Sequence, residues 1–101
     1  MFRNITLEGR GGWQGEVVSI DRFGNIITSF DASMIAAGSS WTVSAGVAQA
    51  IPFVVTYGDV QPGQPLAYIG SSGMIEIAVR NGNACCELGI DRESPVCLLE
   101  V

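Results

Sequence analysis

Thirteen glycines and four prolines are scattered among runs of valine and isoleucine, and they cut this chain into pieces too short for a long helix. Glycine opens backbone conformations that other residues avoid, and proline removes a backbone donor, so both interrupt regular structure. The pieces left between them have strand length. The pattern predicts many short strands joined by tight turns. With 101 residues, 48% of them hydrophobic and 15% charged, the chain is one small globular domain rather than a disordered tail.

Residues 1–13 carry no clear periodicity and read as a lead-in arm, open to motion. The domain proper is expected to span residues 14–101. Gln14–Asp21 and Ile26–Phe30 read as strands, and Arg22-Phe23-Gly24-Asn25 between them has room only for a tight turn, so the pair is a hairpin. Asp31 is placed to cap a short helix, Ala32–Ala37, closed by Gly38. Trp41–Ser44, Val47–Val55 and Leu66–Ile69 follow as strands, with a type II turn at Pro62-Gly63. In Met74–Val79 the residues Ile75, Ile77 and Val79 share one face. Asn83 can cap a second short helix through Leu88, ended by Gly89, and Val96–Val101 closes the chain as a strand. The sum is an all-β, mainly antiparallel fold. A small β-barrel of six or seven strands with one or two short helices is the economical form, because closure removes exposed edges.

Composition excludes several functions. A net charge of −5 disfavours non-specific binding to nucleic acid or an anionic membrane. The chain has no histidine, which excludes Ser-His-Asp and Cys-His catalysis within it and any His-ligated metal. Nothing resembles a metal cluster. Cys85, Cys86 and Cys97 are odd in number and lack the C-x-x-C spacing, so they read as two small core-filling residues and one strand residue, not as a disulfide framework. No signal segment opens the chain and no apolar run approaches ~20 residues, so nothing spans a membrane. Reduced thiols without a signal suggest the cytoplasm.

Groups able to do chemistry are few. Asp21 and Glu76 could each act as a general base, but Asp21 is better placed to stabilise the hairpin turn and Glu76 to satisfy nearby backbone donors. No catalytic residue is assigned. Binding signals are stronger. Phe23 precedes Asn25 by two residues, which pairs a ring that can cover a purine with an amide that can both donate and accept. The turn Gly70-Ser71-Ser72-Gly73 offers N–H groups and hydroxyls suited to a carboxylate or ribose. The helix start at Asn83-Ala84 presents unpaired N–H groups. Each of these also reads as ordinary turn chemistry. Their order along the chain is more specific.

Gly15-Glu16-Val17-Val18-Ser19-Ile20-Asp21-Arg22-Phe23-Gly24-Asn25-Ile26-Ile27-Thr28 is followed by Thr56-Tyr57-Gly58-Asp59-Val60, then by Ile69-Gly70-Ser71-Ser72-Gly73-Met74-Ile75-Glu76-Ile77-Ala78-Val79, then by Asn81-Gly82-Asn83-Ala84. This series resembles the C-terminal domain of the S-adenosyl-L-methionine hydroxide adenosyltransferases, relatives of the fluorinase and chlorinase enzymes, over roughly residues 14–101. The resemblance implies a β-barrel that holds the adenosine and methionine parts of the ligand at a subunit interface, against the N-terminal domain of a neighbour in a homotrimer. It implies that Phe23 and Tyr57 pack on the adenine. Asn25 and the Ala84 backbone would bond the base, and Asp21 with Ser71 and Ser72 would hold the amino-acid end. The family's reaction is displacement at the ribose C5′ by water, giving adenosine and methionine.

Three departures bear on function. The family's N-terminal domain, with its water-activating residues, is missing from this sequence, so the isolated chain is not expected to hydrolyse S-adenosylmethionine. Ser29 stands where the family usually has Asn. Cys85 replaces a small Ala, and Glu93-Ser94-Pro95 replaces a Gly-Asp before the last strand. The expectation is a stand-alone barrel that keeps an adenosine or S-adenosylmethionine half-site without being a complete enzyme, and the start at Met1 favours a short gene over an excised piece. A structural or oligomerisation module without ligand, and a fragment of an S-adenosylmethionine hydrolase, are the rival readings. S-adenosylmethionine would be ligand or substrate, with no resident cofactor. Self-association as a dimer or trimer, or a partner N-terminal domain, would cover the apolar face at Phe23 and Tyr57.

Overall fold

Residues 21–25 do turn the chain back on itself in the computed structural model, which describes residues 4–7, 11–35, 40–55 and 57–101. The turn joins β2 (Gly12–Ile20) to β3 (Ile26–Asp31) as an antiparallel pair, with Ile20 opposite Ile26. Gly24 adopts φ +83°, a conformation that glycine enters without the Cβ penalty other residues meet. β2 begins two residues earlier than the alternation suggested. Part of the arm is drawn into the sheet as well. β1 (Ile5–Thr6) pairs with β2, and the Asn4 amide donates to the Ser29 carbonyl at 2.9 Å.

The remaining strands are β4 (Trp41–Ala45), β5 (Ala48–Pro52), β6 (Pro65–Ile69), β7 (Met74–Val79) and β8 (Pro95–Glu100), and the described residues include one four-residue helix, α1 (Ala84–Glu87). Their order around the sheet is β5-β4-β8-β2-β3-β7-β6, with β1 lying off β2. Each of these strand pairs is antiparallel. The two ends of the path meet at a parallel bridge between Phe53 and Ala67, so the sheet forms a nearly closed all-β barrel. Closure suits a domain of this size because it leaves few ladder groups unpaired.

The alternation of β7 holds in the barrel. Ile75, Ile77 and Val79 turn inward with Ile26, Phe30, Val43, Ile51, Val96 and Leu98 to make the main core. Ala78, on the outer face, is also buried, because Val60 and Leu66 cover it. β3 and β7 lose regular register between Ile27 and Asp31. The fully buried Thr28 spans that irregularity: its hydroxyl donates to the Ile75 carbonyl at 2.6 Å and accepts from the Phe30 N–H at 3.3 Å. Thr28→Val keeps the shape and strands both backbone groups. It is expected to cost about 1–3 kcal/mol, the penalty for a buried group left unpaired. Urea unfolding of the two proteins measures it, and a loss below a few tenths would show that the hydroxyl is dispensable.

Several local expectations are corrected. The helix expected over Ala32–Ala37 is a single 3₁₀ turn, Ala32–Met34, and Ile35 is already extended. Asp31 caps it as expected, accepting from the Ser33 N–H at 2.9 Å, while residues 36–39 lie outside those described. The long strand Val47–Val55 shrinks to β5, and within it Ala50 sits at φ +53° while the β4–β5 register slips between Val43 and Ala45. A 3₁₀ turn at Tyr57–Asp59 is an addition to the expected elements. Pro62-Gly63 does turn, with Gly63 at φ +85°. Cys86 is exposed rather than core-filling, and none of the three cysteines is in a disulfide. Among the described residues no helix is long and apolar enough to cross a membrane.

Candidate binding cleft at the hairpin tip

Asp21 organises the tip by itself. One carboxylate oxygen accepts from the backbone N–H groups of Phe23 at 2.9 Å and Asn25 at 3.0 Å. The other accepts from the Asn25 side-chain amide at 3.2 Å. The Asp21 N–H also donates to the Asn25 carbonyl at 3.0 Å. A short acidic side chain that bonds the backbone two and four residues on is a local turn-forming device, so this geometry follows from the sequence spacing. With both oxygens engaged by donors of its own loop, Asp21 is a builder of the site and not a free base.

The tip docks on the segment that leaves β7. The Gly24 carbonyl accepts from the Cys85 N–H at 3.0 Å. A Cβ at Gly24 would overlap the Asn83 side chain. Asn83 in turn caps α1: its side chain accepts from the Cys86 N–H at 3.0 Å, and its own N–H donates to the Glu87 carboxylate at 2.7 Å. This reciprocal arrangement works like a capping box, with the acid one residue further on, and satisfies donors at the helix start. Hairpin tip and α1 therefore hold each other.

Between the tip and the segment leaving β7 lies an open cleft of about 410 Å³, lined by Phe23, Asn25, Val79, Arg80, Asn81 and Gly82. Phe23 is 63% exposed, which is unusual for a phenylalanine unless something covers it. The Arg22 guanidinium stands 5.0 Å from its ring centroid, close enough for a cation–π contact. Arg80 donates to the Val60 carbonyl at 2.6 Å, which fastens the loop after the Tyr57–Asp59 turn to this end of the barrel. The cleft thus offers an aromatic ring, an amide and a guanidinium around a half-apolar floor. That set has the chemistry to suit a flat, polar-edged ring, and among these lining residues nothing is placed to move a proton.

Of the residues singled out from the sequence, Phe23 and Asn25 line the cleft and Asp21 bonds to both, while Ala84 is buried at the start of α1 and is not among the lining residues. Tyr57 opens the 3₁₀ turn, and its side chain lies outside the described part of the structure. Ser71 and Ser72 do not join them. They occupy the exposed turn at the other end of β7, a strand of six residues and so about 17 Å long. There the Gly73 carbonyl accepts from the Ala32 N–H at 3.0 Å. Glu76, on that half of β7, accepts from the Tyr68 hydroxyl at 2.9 Å rather than from backbone. Ser29 is buried; its hydroxyl accepts from the Glu16 N–H at 2.9 Å and donates to the Asn4 side chain at 2.5 Å, so it holds the arm and contributes nothing to the cleft. Arg80 lines the cleft without having been singled out from the sequence, and Asn81 and Gly82 line it having been quoted only as part of the Asn81-Gly82-Asn83-Ala84 segment, with no contact assigned to them. The Asn-Gly pair was the available signal, and Asn81 does sit at φ +59°.

Comparison with known proteins gives a family from sequence and a matching fold from structure. The family model described as "SAM hydroxide adenosyltransferase C-terminal domain" matches residues 15–97. An (R)-S-adenosyl-L-methionine hydrolase from Thermus thermophilus is 41% identical over 88 residues, which is 87% of this chain and 32% of that protein. One from Salinispora tropica is 34% identical over 80 residues, 78% of this chain and 30% of that protein. A crystal structure of a conserved hypothetical protein, also from Thermus thermophilus, superposes with a TM-score of 0.71 at 38% identity, over 94% of this chain and 37% of that one. An uncharacterized conserved protein from Thermotoga maritima shares the fold, with a TM-score of 0.80 at 24% identity over 98% of this chain and 39% of that one. The chain spans about a third of the length of the curated relatives it matches.

Proposed function

Because this chain belongs to the S-adenosylmethionine hydroxide adenosyltransferase family, as its C-terminal domain, we propose that it supplies the adenosine-binding face of a composite S-adenosylmethionine site. The observation that carries this reading is the cleft, where the exposed Phe23 ring and the anchored Asn25 amide sit side by side. A purine takes flat apolar cover and an amide at its rim. The cleft is open on one side, so it buries only part of a ligand, and a second protein surface is needed to enclose the rest. A partner N-terminal domain, or a further copy of the chain, fits that need. Binding, rather than turnover, is the role assigned to this chain: its Asp21 carboxylate is committed to the tip.

Calorimetry and chemical-shift titration with adenosine and S-adenosylmethionine test the reading. Adenosine is expected to bind in the millimolar to high-micromolar range, with shifts centred on residues 23–25 and 80–84. Asn25→Ala removes one ligand bond worth ~0.5–1.5 kcal/mol and should weaken binding several-fold. Absence of any heat or shift at millimolar ligand would remove the half-site and leave a structural or oligomerisation module.

A further inference from the structure

Cys85 and Cys86 are neighbours in the chain, and neither lines the cleft. Both are free thiols; Cys86 is exposed, and Cys85 is half-buried against the main core. Their backbone groups help tie the hairpin tip to α1. The Cys85 N–H donates to the Gly24 carbonyl at 3.0 Å, and the Cys86 N–H donates to the Asn83 side chain at 3.0 Å. The Cys85 carbonyl accepts from the Ile90 N–H at 3.2 Å. A disulfide between the two cannot form on this backbone without moving it. Consecutive Cα atoms lie about 3.8 Å apart, whereas disulfides usually span roughly 4.4–6.8 Å. Successive side chains of a helix also point about 100° apart. A Cys85–Cys86 bridge therefore requires α1 to unwind at the residues that hold the tip. α1 is a single turn, and a helix that short owes its form to its cap and its neighbours.

We propose that Cys85 and Cys86 are a modification site: a hydroperoxide oxidises them to a strained vicinal disulfide, and the bridge releases the hairpin tip. The exposed Cys86 sulfur attacks one peroxide oxygen, and the O–O bond breaks. The departing hydroxide takes the thiol proton and leaves as water, with Cys86 now a sulfenic acid. The Cys85 sulfur then attacks the Cys86 sulfur and the S–O bond breaks. The second hydroxide leaves as water with the Cys85 proton. Together the two thiols give up two electrons, and one hydrogen peroxide is reduced to two waters. The bridge closes only as α1 opens, so bridge and docked tip exclude each other. By linkage, whatever holds the tip docked disfavours the bridge as much as the bridge disfavours docking. Strain makes such a bridge easy to reduce, which suits a reversible switch rather than a structural staple. Cys97 is half-buried on β8, opposite Gln14 and Ser44, and takes no part.

Hydrogen peroxide added to the dilute folded chain tests this. The tryptic peptide 81–92, which holds both cysteines, is expected to lose two hydrogens and to resist alkylation until a thiol reductant is added. In amide spectra of the same sample, residues 22–25 and 84–87 should shift together. The Cys85 N–H should lose about tenfold of its protection from exchange. The double variant Cys85→Ala with Cys86→Ala keeps every backbone bond of α1, so its spectrum should stay that of the docked tip before and after peroxide. Cys97→Ser should respond as the wild type does. A Cys85–Cys86 bridge that leaves the tip resonances unmoved would overturn the coupling. Cys86 passing on to sulfinic acid, or a disulfide joining two copies of the chain, with no Cys85–Cys86 bridge, would overturn the pair itself. These readouts need no nucleoside, so they stand or fall apart from the proposed binding site.

Discussion

Gly24→Ala is expected to abolish nucleoside binding and to cost about 2–4 kcal/mol of stability, combining a left-handed backbone at a non-glycine residue with a displaced helix cap. Gly24 sits at φ +83°, and a Cβ there would occupy the space of the Asn83 side chain. If Asn83 yields, α1 loses its cap and the Cys85 N–H to Gly24 carbonyl bond is strained. If Gly24 yields, Phe23 and Asn25 leave the cleft. Gly63→Ala provides the comparison. Gly63 has a similar φ of +85°, but nothing lies within 4 Å of an added Cβ. It should therefore show the backbone cost alone, about 1–2 kcal/mol. Urea unfolding of both variants separates the two contributions. Equal losses would mean that the contact with Asn83 does not hold the tip.

Phe30→Ala is expected to remove about 3–5 kcal/mol, the usual cost of emptying a phenylalanine site in a packed core. Phe30 is fully buried on β3, and its ring lies where Gly15 of β2 comes so close that a Cβ there would stand 2.7 Å from the ring edge. The barrel wall is therefore closely fitted to this ring. Small domains hold only about 5–15 kcal/mol in total, so the variant should be near its unfolding midpoint or past it at modest temperature. Circular dichroism on heating measures this. Phe30→Leu keeps much of the volume and should lose far less. A loss below about 1 kcal/mol for the alanine variant would show that the barrel collapses into the space. Because β3 leads directly out of Asn25, the same variant should loosen the cleft even where it remains folded.

The parts of the site that were legible in the sequence are those whose bonds are short in chain distance. Asp21, Phe23, Gly24 and Asn25 interact at separations of two to four residues, so composition and spacing alone specify the turn. The same holds for the Asn83 helix cap with its Glu87 contact and for the period-two alternation of Met74–Val79. Resemblance extended this local reading to the family. Other features were invisible because they depend on which distant segments meet. The last strand, β8, lies between β4 and β2 in the middle of the path. Nothing in its own residues states that, since a strand's pattern records which face is buried but not its neighbour.

Tertiary structure alone decided how the candidate residues are divided. Asn25 and Ser71 look alike as turn groups in the sequence, yet the antiparallel pairing of β3 with β7 sends them to opposite ends of the barrel. Arg80 lines the cleft where the chain leaves β7, and its guanidinium also donates to the Val60 carbonyl twenty residues back. Ser29 serves the sheet, because Glu16 and Asn4 meet it there. The amino-acid sequence by itself determined the hairpin tip, the helix cap and the class of fold, because these rest on local torsions, local hydrogen bonds and the alternation of apolar residues. Which groups share a cleft was decided by long-range strand pairing, where burial of the whole core selects one arrangement from the many that local preferences allow.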